Sequence, residues 1–180
     1  MELMKSKKTK MNKTLEFDFS VDKVNRTITV TREFEANLPV VWDAFTKSEI
    51  LDKWWAPKPW KAKTKSMDFT EGGRWLYAMV SPEGEEQWCI QEYEEIQPQE
   101  RFTLTDAFTD EAGNIKKDMP RSKWEQSFSD DGDVTLVTSR LVFDELDQLE
   151  KTIKMGIREG YKLALEGLDE LLPSLKKAGK

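Results

Sequence analysis

Between Asp147 and Leu172, apolar residues recur at spacings of three and four: Leu149, Ile153, Ile157, Tyr161, Ala164, Leu168 and Leu171. Such a stripe is one face of an amphipathic α-helix. Asp147 is placed to cap its start, with Glu150 three residues on. Pro173 is expected to stop it, because the ring blocks continuation of the helix. At about 1.5 Å per residue such a helix is about 40 Å long, enough to cross a small domain. Its apolar face needs a partner surface of matching length. The upstream chain is patterned mostly as strands, so that surface is a sheet.

Three glycines, Gly156, Gly160 and Gly167, interrupt this helix. Each costs about 1 kcal/mol relative to alanine inside a helix. At about 100° per residue they share a stripe about 40° wide along the edge of the apolar face. Two readings stand: close packing of another element against the bare backbone, or room for a ligand lying along the helix.

Composition narrows the function. Charged residues make up 34% and apolar residues 38% of 180, as in a globular chain of one domain, here expected over 14–175. A net charge of −6 argues against a general nucleic-acid or anionic-membrane binder. Cys89 is the only cysteine, so no intrachain disulfide forms, and a reducing, cytoplasmic setting is expected. No apolar run is long enough to span a bilayer. Histidine is absent, which excludes a Ser-His-Asp triad, a Cys-His dyad and any His-ligated metal site. No metal and no organic cofactor is expected. Cys89 beside Trp88 reads as a buried, inert thiol, because no histidine or metal is there to activate it. With seven Trp, nine Phe and three Tyr, the chain is rich in large flat side chains.

Residues 1–13 are basic and polar without an apolar core segment, and are expected to be a disordered tail, not a secretory signal. Folded patterning begins just after Met11, which makes it a second candidate for the native start. Leu15, Phe17, Phe19 and Val21 alternate as in a strand, and Ile28, Val30 and Phe34 form its hairpin partner. Arg32 shares the parity of the second strand's apolar residues. It either snorkels outward at the sheet end, the favoured reading, or points a charge into a pocket. Asn37 before Pro39 starts a short helix through Val41, Trp42 and Phe45. Ser48 is expected to cap a second, through Leu51, Trp54 and Trp55, ended by Pro57 and Pro59. An antiparallel meander follows. Its strands are expected over 63–69, 74–80, 86–96, 101–108, 122–128 and 134–143, with turns at Gly72-Gly73, Pro82 to Gly84 and Asp131-Gly132. Lys176, Lys177 and Lys180 close the chain in a flexible tail over 176–180.

This order of hairpin, two short helices, meander and long helix resembles the helix-grip fold of the START-like, or SRPBCC, superfamily, which includes the birch-pollen-allergen proteins. The segments VTREFEANLPVVWDAFTKSEILDKWWAPKPW (30–60), MDFTEGGRWLYAMVSPEGEE (67–86), YEEIQPQERF (93–102) and KMGIREGYKLALEGLDELL (154–172) are similar to one family within it. That family resembles the C-terminal domain of the activator of the heat-shock-protein-90 ATPase. The resemblance covers about Leu15 to Leu172, and its motifs are specific to the family in combination. Where many relatives carry glycine before "xYxEI", this chain carries Gln91, a bulkier residue in the region of the pocket.

The resemblance implies an α+β fold, a curved antiparallel sheet gripping the C-terminal helix, with a cavity between them. Trp54, Trp55 and Trp60 would sit near its mouth. Trp75, Tyr77, Met79, Trp88, Trp124, Phe128, Ile157 and Tyr161 are candidates for its wall. Aromatic stripes also simply fill cores, so both readings stay open. The indole N–H groups need acceptors when buried, and Gln126 and Glu92 are candidates. Three functions compete. The first is binding of a small hydrophobic or aromatic molecule in the cavity. The second is an enzyme of cyclase, aromatase or hydrolase type. It would need a perturbed acid or base among Arg32, Glu92, Tyr77, Tyr161 and Arg140, which form no recognisable constellation. The third is a chaperone-associated interaction module, which would show a large exposed apolar patch. Binding is favoured, with no catalytic residue assigned.

Overall fold

The computed structural model describes residues 17–178. The expected N-terminal tail lies outside them. Alternating residues build a hairpin of β1 (Phe17–Asp22) and β2 (Thr27–Phe34). Two short helices follow, α1 (Leu38–Thr46) and α2 (Ser48–Trp54). The meander comprises β3 (Lys61–Met67), β4 (Arg74–Val80), β5 (Glu86–Gln97), β6 (Arg101–Thr109), β7 (Ser122–Asp131) and β8 (Val134–Val142). The chain then enters α3 (Leu146–Lys154) and α4 (Ile157–Ala178). The strands form one antiparallel sheet of eight, in the order β1-β2-β8-β7-β6-β5-β4-β3. Register shifts at Thr64/Ser66 and Tyr93/Ile96 bend two of them, as bulges do. This is the helix-grip architecture: a curved sheet, a long C-terminal helix and two short N-terminal helices.

Five local expectations need correction. The long helix is two helices. Lys151 and Lys154 close α3, and Gly156 at φ +93° turns the chain before α4 begins. That conformation is open to glycine and strained for any L side chain. Pro173 lies inside α4, which runs on through Lys176 and Lys177. Its missing N–H and ring cost about 3 kcal/mol in a helix interior. Here the residue is exposed, where water can take the carbonyl bond the ring blocks, while Leu172 is buried and Leu175 packs on the core. The cap of α2 is Lys47, not Ser48, and that of α3 is Glu145, with Asp147 inside the first turn; none of Asn37, Lys47 and Glu145 makes a side-chain capping bond. Finally, Arg32 does not snorkel. It is buried, with its guanidinium donating to the Glu33 carbonyl, lying 5.0 Å from the Phe34 ring centre and 3.6 Å from Asp169 of α4. A charge that reaches an opposite charge on the packed helix has no need to reach water.

The concave face carries the main core. α1 sets Trp42 and Phe45 against Phe128, at ring separations of 5.0 and 5.4 Å, and α2 adds Trp54, 4.8 Å from Phe45. The convex face has a smaller cluster of Leu76, Ala78, Trp88, Ile90 and Ala107, with Ile115 packed on it. Ile115 belongs to a loop that folds back through a bridge to Thr109.

Candidate functional site

Concave packing is incomplete at one end. α1 and α2 fill the groove near Phe128, but at the other end Trp55, Ile157 and Tyr161 leave the space above the sheet incompletely filled. There the α3–α4 turn and the bare backbone of Gly160 face the sheet. The result is a cavity of about 240 Å³. Its apolar wall includes Trp55, Met79, Trp124, Leu141, Ile157 and Tyr161. Trp55, Trp124 and Tyr161 form a triangle with ring separations of 6.0, 5.6 and 5.8 Å. Pro57, Pro120 and the half-exposed Met155 rim it.

Strand parity brings a polar row to the opposite wall. Tyr77 of β4 faces Cys89 of β5, and Gln91 faces Asp106 of β6, which in turn pairs with Ser122 of β7. The Tyr77 hydroxyl accepts the Trp55 indole N–H at 3.0 Å. Asp106 Oδ1 accepts from the Ser122 backbone N–H and hydroxyl, both at 2.8 Å, and Oδ2 accepts the Trp124 indole N–H at 3.1 Å. Crowding by protein atoms desolvates this carboxyl and pushes its pKa above the ordinary range, against the opposing pull of those donors and of Arg121. Burial pushes the Cys89 thiol up to about 12, helped by the Asp106 charge. Such a thiol is protonated near neutrality and a poor nucleophile. Burial also raises the Tyr77 hydroxyl well above its usual range.

Under the helix, Tyr161 closes a second polar group. Its hydroxyl lies 2.8 Å from Ser139 Oγ and accepts from Gln126 at 3.3 Å, while Ser139 donates to Gln126 at 2.5 Å. Burial raises its pKa to about 12. These bonds are satisfied within the protein, so the group holds the cavity floor in place.

The sequence-derived residues divide between the two faces. Trp55, Tyr77, Met79, Trp124, Ile157 and Tyr161 border the cavity. Trp54 and Phe128 lie in the packed half, and Trp60 is half-buried against the core. Trp75 stacks on Tyr77 at 3.9 Å, its indole bonded to Thr64, and supports the wall from the side. Trp88 is on the convex face, opposite Ala78, with the Lys63 and Lys65 ammonium groups each 5.9 Å from its ring. Alternation along β5 puts Cys89 and Gln91 on the concave side and therefore Trp88 on the other. The indole acceptors are also not those expected. Gln126 serves Tyr161 and Ser139, and Glu92 pairs with Arg121 at 3.5 Å. Arg32 and Arg140 are engaged away from the cavity, on Asp169 and Glu125. Asp106 was missed, although its signal is plain: it is an acid in register with Phe102, Leu104 and Phe108. Gly156 had one too, following two lysines as a helix C-terminus does.

Among the described residues no group of acidic, cysteine or histidine side chains is placed to hold a metal ion, and no helix is long and apolar enough to cross a membrane. The family model described as Activator of Hsp90 ATPase homolog 1-like protein matches residues 35–173. Among solved structures, the protein Ms6760 from Mycobacterium smegmatis is 28% identical, with a TM-score of 0.81, over 88% of this chain and 96% of that one. A protein from Arthrobacter aurescens is 25% identical, with a TM-score of 0.82, over 87% and 91%. One from Staphylococcus epidermidis is 27% identical, with a TM-score of 0.75, over 86% and 94%. No curated protein matches the chain.

Proposed function

Because the chain belongs to the Activator of Hsp90 ATPase homolog 1-like family, whose fold commonly binds hydrophobic ligands, we propose that it binds a small hydrophobic or aromatic molecule in the cavity between the sheet and the α3–α4 turn. The observation that carries this reading is the unfilled end of an otherwise densely packed groove. Protein interiors are packed to near-crystalline density, and a space of about 240 Å³ walled by three aromatic rings departs from that rule. The volume suits one or two fused rings and falls below the usual range for drug-sized ligands.

Binding is favoured over catalysis by the state of the polar row. The Asp106 oxygens already accept three hydrogen bonds, and the Cys89 thiol is held protonated. Native mass spectrometry of gently purified protein, compared with the same sample denatured, tests the reading. An additional small mass that leaves on denaturation is the expected result. A clean protein mass, together with no shift of cavity resonances on adding naphthalene, overturns it.

A further inference from the structure

Gln91 is a buried polar residue in this wall whose amide the protein itself leaves unused. It is 5% exposed and borders the cavity, yet its side-chain amide has no hydrogen-bond partner among the described residues. The groups around it are committed. Asp106, directly across the β5–β6 pair, holds three donors; Trp75, across the β4–β5 pair, gives its indole N–H to Thr64. Cross-strand partners on one face stand about 5 Å apart, so the amide sits between a flat indole and a carboxyl group. Arg121 also borders this end. Its charge is met by Glu92 at 3.5 Å, while its buried Nε has no partner.

Resting on the binding reading above, we propose that the cavity selects a neutral one- or two-ring molecule whose edge carries a donor and an acceptor side by side, as in a lactam or carboxamide, and that Gln91 reads that edge. An amide presents one N–H face and one C=O face, so its complement is another amide-like edge. A ligand that covers this amide without pairing it leaves a polar group unsatisfied and loses affinity. The neighbouring Asp106 disfavours a bare anion, and the ion pair to Glu92 leaves Arg121 little net charge with which to attract one. A ring without polar groups fills the apolar wall but leaves the amide unpaired.

Protein-observed NMR titrations of the full chain with four probes test this. 2-Quinolone carries the lactam edge, coumarin keeps only the acceptor, naphthalene has neither, and 2-naphthoate supplies an anion. The expected order places 2-quinolone at least about tenfold tighter than coumarin and naphthalene, with 2-naphthoate weakest. Gln91→Leu, of similar size, should bring 2-quinolone to within about twofold of naphthalene. Equal affinities for 2-quinolone and naphthalene in the wild-type chain overturn the inference and leave the binding reading standing, whatever the variant does. Tightest binding by 2-naphthoate overturns it in the same way. No perturbation by any probe up to its solubility overturns the inference and the binding reading together.

Discussion

Trp54 and Trp55 are adjacent in the chain and serve different regions. Trp54 is 1% exposed, packs 4.8 Å from Phe45 and donates its indole N–H to the Ala44 carbonyl at 2.9 Å. Everything around it comes from the protein: Phe34, Trp42, Phe45 and Phe128 close that end of the groove. Trp55 meets the Trp54 ring edge-on at 5.3 Å, donates its indole N–H to Tyr77, and borders the cavity. Both ends lie under the same helical layer and over the same sheet, with similar aromatic content. They differ in what descends from above. α1 and α2 deliver large rings into one end, whereas the α3–α4 turn delivers Gly156 and Gly160 to the other. Aromatic richness alone does not make a pocket; here glycines set among Trp55, Ile157 and Tyr161 leave the opposing surface incomplete.

The sharpest way to break this comparison is to truncate one large side chain at each end. Trp54→Ala should cost about 3–5 kcal/mol of stability, the usual range for emptying a packed aromatic site. Met79→Ala, at the partly covered cavity wall, should cost about 1 kcal/mol. Urea unfolding of both variants checks this, and equal losses would show that the two ends are packed alike.

A second pair of variants adds volume instead. At Gly167 a new Cβ would meet the Trp54 Cβ at 3.9 Å and its carbonyl at 4.0 Å. The larger Gly167→Leu should therefore overpack the core and cost about 1–3 kcal/mol. At Gly160 a Cβ meets only Pro57 Cγ, at 3.9 Å, before the cavity opens. Gly160→Leu should leave stability unchanged or raise it by up to about 1 kcal/mol, while abolishing ring binding. Thermal unfolding and the naphthalene titration together read this out. A destabilised Gly160→Leu that still binds would contradict the placement of the cavity beneath that residue.

The smallest effect separates the two ends by pH. The folded chain holds the Asp106 proton more tightly than the unfolded chain, whose carboxyl has its ordinary value of 3.8. The resulting stabilisation is complete below that value and is lost as pH rises through the folded-state pKa. Relative to Asp106→Asn, the wild type should therefore lose stability from pH 4 upward until Asp106 has ionised. Phe128→Leu, altered in the packed half, should run parallel to the wild type. Unfolding free energies measured from pH 4 to 8 decide it, and parallel curves for Asp106→Asn would mean that this carboxyl is not desolvated.

Much of the fold was legible because strands and helices are local periodicities. β4 spans Arg74–Val80 as the alternation indicates, and Leu149, Tyr161, Ala164 and Leu168 of the apolar stripe are all buried. The stripe nevertheless carried across Gly156 without a change of phase, so periodicity masked a break that the lysines and glycine around it signalled. The cavity was less legible. Gly160 borders it whereas Gly167 lies against Trp54, so both readings of the glycine stripe hold, each at a different turn of the helix.

The order and type of the elements, the buried face of each, and hence the helix grip follow from patterns within single segments. Sequence by itself determined that much, because burial of one face is decided by the segment's own side chains. Which end of the groove is filled, which way Trp54 and Trp55 turn, and that Gln91 is left without a partner beside Asp106 were decided only by tertiary structure. A cavity is a deficit of volume between opposing elements. It depends on how side chains distant in the chain sum across the gap, a quantity that no one segment encodes.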